Sequence, residues 1–321
     1  MLGLNLKEGA DKMAAVKKIA PKAVKECPPK EKKPKMKFRD KIFPLACLTP
    51  SFIGVMIFFI VPFIVIIYYS MVDNPINKDF VFLDNFISVL KNTAFKKAAV
   101  NTLKFSAMAV PLAVVLGMGL AMLLDSRIPF VSQFRTSFLC PMMVPVASVV
   151  LIWQVIFHYN GTLNEILMKF GADRVDWLKS DKAMIVIVVL FLWKNLGYNM
   201  ILFLSALNNI SKDQLEVATL EGAGRWYKFV HIKLRHLSPT ILFVAILSLI
   251  NSFKVFREVY LLTGDYPYDS VYMLQHFMNN TFRSLDYQKL SAAAIIMALV
   301  IVVIIGILFI AENKLGEDVE Q

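Results

Sequence analysis

Residues Ser211 to Pro239 read SKDQLEVATLEGAGRWYKFVHIKLRHLSP, a polar stretch between two strongly apolar ones. Leu215, Ala218 and Leu220 with small Ala223 form a modest apolar stripe, and Trp226, Phe229, Ile232 and Leu234 continue it at helical spacing. Ser211 is expected to cap a short helix over 212–220, with Asp213 in its first turn. Gly222 and Gly224 weaken that helix and predict a turn. Pro239 is expected to open the next apolar helix. The stretch therefore reads as a helix–turn–helix with Ala223-Gly224-Arg225-Trp226 at its tip. Such an element inserts into a groove on another protein or rests on lipid as an interfacial hairpin. On these residues alone the two readings stand level.

The flanks settle the class. Hydrophobic residues make up 57% of the 321, above the roughly 45–50% of a soluble domain. Six runs approach or exceed the roughly 20 residues that cross a bilayer core: Ile42–Met71, Ala98–Leu124, Phe138–Phe157, Ala183–Ala206, Pro239–Leu262 and Leu290–Ile310. Backbone groups in hydrocarbon must bond within their own segment, and the alternation of a β-barrel is absent, so these runs predict helices. The expected fold is an all-α integral membrane protein with six transmembrane helices. Gly117, Gly119 and Ala121 are expected at close helix contacts. Pro111, Pro141 and Pro145 predict bends, which serve moving helices or static packing equally well.

Charge sets the orientation. Residues 1–41 hold 13 Lys/Arg against 5 Asp/Glu, and 207–238 hold five against three. The links 72–97, 158–182 and 263–289 together hold 10 of each sign. The positive-inside rule puts both termini and the 207–238 loop in the cytoplasm. The net charge of +11 then reflects topology and calls for no nucleic acid. Residues 1–41, rich in Lys and Pro without apolar periodicity, are expected to be a disordered basic tail. The membrane domain spans 42–310 and 311–321 form a second cytoplasmic tail. The first apolar run is too long for a signal-peptide core and reads as an uncleaved span. Cys27, Cys47 and Cys140 make no disulfide framework and are expected to be inert. No Gly-rich loop ending in Gly-Lys-Ser/Thr occurs, the four His residues lack metal-ligand spacing, and no nucleophile–base arrangement stands out. An enzyme is not expected.

Polar residues interrupt two spans. Trp193, Lys194, Asn195, Gly197, Tyr198 and Asn199 break the fourth near its middle. Ser248, Asn251, Ser252 and Lys254 break the fifth, with Arg257 and Glu258 further along. Such groups persist in hydrocarbon when they face a cavity, a partner or one another. They predict either a pathway for a polar solute or interhelical hydrogen bonds that hold the bundle. Lys254, Arg257 and Glu258 also read as an ion pair near an interface, with Lys254 snorkelling.

The 211–239 stretch resembles the signature loop of type I ABC importer permeases, whose pattern is Glu-Ala-Ala, three residues, Gly, nine residues, Ile-x-Leu-Pro. Here Glu216-Val217-Ala218, Gly222 and Ile232-x-Leu234 stand at that spacing, with Arg235 in place of the Pro. Gly222-Ala223-x-Arg225-Trp226, Phe229, His231-Ile232 and Pro239-Thr240 resemble the maltose-type sugar-importer branch. So do Phe82-x-Asp84-Asn85-Phe86, Asn101-Thr102-Leu103, Phe134-Arg135-Thr136 with Pro141, Ile152-Trp153, Gly161-x-Leu163-Asn164 and Leu261-Leu262-Thr263-Gly264. The resemblance covers about residues 40–312.

The resemblance implies a permease of the cell membrane of a bacterium or archaeon. A second homologous permease would complete the pathway for a sugar, two ABC ATPase subunits would bind below, and an extracytoplasmic solute-binding protein would dock on 72–97 and 263–289. ATP and Mg would belong to the ATPases, with no cofactor or metal in this chain. Glu216, Ala218, Gly222, Ala223, Arg225 and Trp226 would form the ATPase-coupling loop. Trp193, Leu196, Gly197, Met200, Ser248, Asn251, Ser252 and Val255 would line the solute pathway. The competing expectations are an ion-gradient-driven secondary transporter, an importer of a non-sugar solute such as a glycerol phosphate, a membrane-bound enzyme, and a non-transporting scaffold or receptor subunit.

Overall fold

The computed structural model describes residues 48–316 except 75, 78, 127 and 128. These fall in two compact units, one ending at Phe58 and the other starting at Phe59. The described part of the first, residues 48–58, is helical. The tail expected over 1–41, and the expectations for Cys27 and Cys47, lie outside the described residues; Cys140 is exposed.

The first helices are α1 (Leu48–Ser70), α2 (Asp84–Lys91), α3 (Thr93–Asp125), α4 (Val131–Met143), α5 (Val146–Phe157) and α6 (Thr162–Lys169). They are followed by α7 (Ala183–Asn208), α8 (Lys212–Leu220), α9 (Arg225–Lys228), α10 (Leu234–Phe253), α11 (Phe256–Thr263), α12 (Leu274–Arg283) and α13 (Tyr287–Gly316). Among the described residues, six helical stretches are long and apolar enough to cross a membrane, namely Leu48–Ser70, Thr93–Asp125, Val146–Lys169, Ala183–Asn208, Arg225–Thr263 and Tyr287–Asn313. No strand occurs among the described residues; Val72 and Phe80 form an isolated antiparallel bridge.

Helix α7 is the centre of the bundle and packs against α3, α4 and α10. Phe105 of α3 meets Phe191 of α7 edge to face at 5.5 Å. Met200 and Phe203 of α7 are fully buried with Leu237 and Val244 of α10. Two glycines let backbones approach. A Cβ on Gly117 would lie 3.0 Å from Asn199 Cβ. One on Gly197 would fall 1.9 Å from the carbonyl oxygen of Phe138, so α4 rests directly on the α7 backbone. Ala121 is also buried, whereas Gly119 is exposed with open space around it and makes none of the expected contact. At the periphery α13 exposes Leu299, Val302, Val303 and Ile307. That much outward apolar surface suits lipid and not water.

Several element ends differ from the sequence expectation, each for a physical reason. The run Phe138–Phe157 is two helices. Pro145 lacks an N–H and drives Val144 into extended backbone (φ −78°, ψ 133°), which ends α4 and starts α5. Pro111, Pro141 and Pro239 instead lie inside α3, α4 and α10. Pro239 therefore does not open the fifth span. The helix runs unbroken from Arg225 through a π-helical turn over Phe229–Lys233, where the Leu234 N–H reaches back five residues to the Phe229 carbonyl. Arg235 sits in this continuous helix. The last helix runs past Ile310 to Gly316, so the tail expected from 311 begins as helix.

Buried amides fix the links at one end of the bundle. Asn85 Nδ2 donates to the carbonyls of Ser70 and Val72 at 3.0 and 2.8 Å. Asn101 Nδ2 donates to those of Asp269 and Tyr272 at 2.6 and 3.1 Å. Thr102 Oγ1 accepts the Leu274 N–H at 2.8 Å, and Lys97 pairs with Asp269. Asn164, fully buried, accepts from the Val175 N–H and Trp177 Nε1 and donates to the carbonyls of Tyr159 and Val175. Each amide satisfies backbone groups that irregular loops leave unpaired.

Candidate functional site: a formed turn and a charged cavity

The turn after α8 has a defined geometry. Gly222 adopts φ +83°, the left-handed conformation that suits glycine. The Ala223 N–H then reaches the Ala218 carbonyl at 2.8 Å and the Gly222 N–H the Thr219 carbonyl at 3.1 Å. This pair of bonds is the Schellman closure of a helix C-terminus. Ser211 occupies the N-cap position, but its hydroxyl makes no capping bond, contrary to the expected role.

The apolar stripe divides in two. Leu215 and Ile232 turn inward and pack against the core around Met200 and Leu237. Leu220 (88% exposed) and Trp226 (76% exposed) point outward, with the Trp226 ring 5.5 Å from Phe229. Glu216 and Arg225 are also exposed. The hairpin is tied together by Lys228 Nζ, which donates to Thr219 Oγ1 at 3.0 Å, and by His236 and Gln214, whose Nε2 and Oε1 lie 3.1 Å apart. Lys233 pairs with Asp125 at the end of α3 at 2.9 Å. The result is a hydrogen-bonded tip that offers an aliphatic and an indole side chain to whatever lies beyond it.

The second feature is a cavity of about 490 Å³ between α7, α10, α11 and α12. Its walls include Phe191, Lys194, Asn195, Asn251, Lys254, Val255, Arg257 and Gln275. The fifth span breaks here: Lys254 and Val255 lie between α10 and α11. Glu258 pairs with Lys194 across the gap at 2.5 Å rather than with Lys254 on its own segment, so the pairing considered from sequence is replaced by an interhelical one. Asn251 Nδ2 donates to Asn195 Oδ1 at 3.2 Å.

Of the eight pathway residues, Asn251 and Val255 line this cavity. Met200, Ser248 and Ser252 are buried helix contacts in this conformation. Ser248 Oγ accepts from Asn199 Nδ2 at 3.1 Å, and Ser252 Oγ shares a 2.7 Å bond with Ser106 Oγ of α3. Gly197 lies under α4. Trp193 faces a second, smaller hollow of about 210 Å³ with Trp153, the two rings 6.2 Å apart. Leu196 is half-buried. Helical phase explains the division. Residues 190, 191, 194 and 195 share the cavity face of α7, while 193, 196, 197 and 200 share another. Lys194, Asn195, Lys254, Arg257 and Glu258 were already conspicuous in the sequence as polar interruptions. Gln275 and Met142 gave no such signal, because they come from segments distant in the chain. Among the described residues, no group of three or more His, Cys, Asp or Glu is placed to hold a metal.

On α12, His276 is 1% exposed. Its Nδ1 accepts the Met273 N–H at 3.2 Å and Phe256 packs edge-on at 4.7 Å. Burial lowers its pKa to about 4, with nearby Asp265 opposing the shift, so the ring is neutral at pH 7.

Comparison with known proteins bears on both features. The chain is 28% identical to the trehalose/maltose transport system permease protein MalF of Thermococcus litoralis over 88% of its length and 98% of the relative's. It is 28% identical to the sulfoquinovosyl glycerol transport system permease protein SmoG of Agrobacterium fabrum, over 80% and 86%. Its fold matches a chain of a bacterial alginate ABC transporter, solved in complex with an alginate pentasaccharide-bound periplasmic protein, at a TM-score of 0.75 and 22% identity over 87% of this chain and 96% of that one. The profile of one family covers residues 109–317, a stretch that contains the formed turn and the whole of the cavity wall. By that match the chain belongs to the binding-protein-dependent transport system inner membrane components.

Proposed function

We propose that this chain is one permease of an ATP-driven importer that carries a sugar or oligosaccharide. A second permease completes the pathway, two ATPase subunits supply the energy, and a binding protein outside the membrane delivers the solute. The observation that carries this reading is the closed, outward-facing turn at Gly222. Its hairpin is bonded to the end of α3 through Lys233 and Asp125 and continuous with the fifth span. In this reading Glu216, Ala218, Gly222, Ala223, Arg225 and Trp226 meet a groove on an ATPase that holds the ATP and Mg. Leu220 and Trp226, exposed and adjacent to charges, have the make-up of a protein-binding anchor. Movement of the tip then re-aims the fifth span, an alternating-access cycle between two states. The cavity at the break in that span holds the solute when open. Both termini and the hairpin face the cytoplasm, and the opposite links, including α12, receive the binding protein.

The relatives favour a saccharide or glycoside as cargo: trehalose or maltose for one and a sulfoquinovosyl glycerol for another. The test is solute uptake into vesicles containing this chain with its partner permease, ATPases and binding protein. Accumulation that requires ATP inside and binding protein outside is expected. Accumulation that proceeds without ATP and follows a proton or sodium gradient would overturn the reading.

A further inference from the structure

We infer that the solute accepted by the cavity at the fifth-span break is anionic, a saccharide bearing a carboxylate or phosphate group. This rests on the reading of that cavity as part of the solute pathway. Four charged side chains line it: Lys194, Lys254, Arg257 and Glu258. Lys194 and Glu258 neutralise one another. Among the described residues the side chains of Lys254 and Arg257 have no hydrogen-bond or ion-pair partner, so the wall carries an excess of two positive charges.

Both cations are exposed on the open cavity wall, where a bound anion could reach them. Lys194 has its answer in Glu258. Lys254 and Arg257 project from the break itself, where the negative end of α10 meets the positive end of α11, so the helix ends offset one another and the excess positive charge is that of the two side chains. The planar guanidinium of Arg257 suits the paired oxygens of a carboxylate or phosphate, and Lys254 suits either as a point charge. The rest of the lining fits the neutral part of a sugar. Asn251 has a free amide oxygen after donating to Asn195, and Gln275 brings a whole amide. Phe191, Phe256 and Leu190 give apolar walls for the C–H face of a pyranose ring. The volume of about 490 Å³ lies within the roughly 300–1,000 Å³ of small-molecule sites.

The experiment uses the complete transporter in proteoliposomes with three probes: trigalacturonate, glucose 6-phosphate and maltotriose. ATP-dependent accumulation is read by mass spectrometry for the wild type and for Lys254→Gln combined with Arg257→Gln, and assembly of each complex is checked by size exclusion. An acidic probe is expected to accumulate at least tenfold faster than maltotriose. The double variant, correctly assembled, is expected to lose at least tenfold of that acidic uptake, the scale of one charge-assisted contact. Maltotriose accumulating as fast as both acidic probes, or unchanged acidic uptake in the double variant, overturns the inference and leaves the importer intact. No ATP-dependent accumulation of any probe, together with no stimulation of ATP hydrolysis by the binding protein, overturns the importer reading and the inference with it.

Discussion

Replacing Gly222 by Ala tests the coupling reading at a single atom. Gly222 holds φ +83°, and a Cβ there would meet nothing within 4 Å. The substitution therefore introduces no clash, only the strain of an L-residue in left-handed backbone, about 1–2 kcal/mol. Gly224 is the internal control, since its φ of −66° and ψ of 166° suit any residue and its surroundings are equally open. If the free hairpin relaxes to escape the strain, the ATPase must restore the turn on docking, and its affinity falls by the same free energy. That is roughly 5- to 30-fold in Kd. Gly222→Asn is expected to lose less, because Asn tolerates the left-handed region. Gly222→Pro is expected to lose more, because its ring fixes φ near −65° and removes the N–H that reaches Thr219. Affinity is measured by titrating purified ATPase onto permease pairs in nanodiscs, with far-UV circular dichroism confirming intact helices. Wild-type affinity in Gly222→Ala, or an equal loss in Gly224→Ala, would refute the reasoning that the closed turn is what the ATPase reads.

Three further outcomes follow from the packing. Gly197→Ala puts a methyl group 1.9 Å from the Phe138 carbonyl oxygen, and backbone has to move; a loss of about 1–3 kcal/mol is expected, seen as a lower melting temperature in detergent, whereas Gly119→Ala leaves it unchanged. Glu258→Gln strands Lys194 beside the cavity and is expected to destabilise by up to about 3 kcal/mol, and Lys194→Met in the same chain restores most of the loss in a thermal-shift assay. His276 has its pKa lowered to about 4 by burial. Between that value and its unfolded value of about 6.5 the unfolded chain binds more protons, so stability falls as pH drops through this window, by roughly 3 kcal/mol in full. Melting temperatures recorded from pH 7.5 to 4.5 are expected to lose this component in His276→Gln.

The sequence made the bundle legible because crossing a membrane leaves one solution, and the length and greasiness of the six runs declare it. It made the hairpin legible because Gly222 stands where a left-handed residue is needed. The boundaries were harder. Pro145 ends a helix while Pro111, Pro141 and Pro239 do not, and local pattern alone does not separate the four. The cavity was legible as a property of two spans and not as individual positions. Trp193, Leu196, Gly197 and Met200 lie on one phase of α7 and Lys194 and Asn195 on another, and only the break at Lys254–Val255 decides which phase opens onto space. A contribution from α12 such as Gln275 depends on a loop path that local pattern does not encode.

Helix α3 is 33 residues long, about 50 Å at 1.5 Å per residue. Near its beginning, Lys97, Asn101 and Thr102 hold the 269–274 segment. At its end, Asp125 holds Lys233 of the hairpin. It is therefore a strut clamped at both faces of the protein. Between the clamps lies Pro111, so the beam lacks one backbone hydrogen bond near its middle. Under the proposed function, the arrival of cargo on one side and the grip of a motor on the other would be two loads on the same beam.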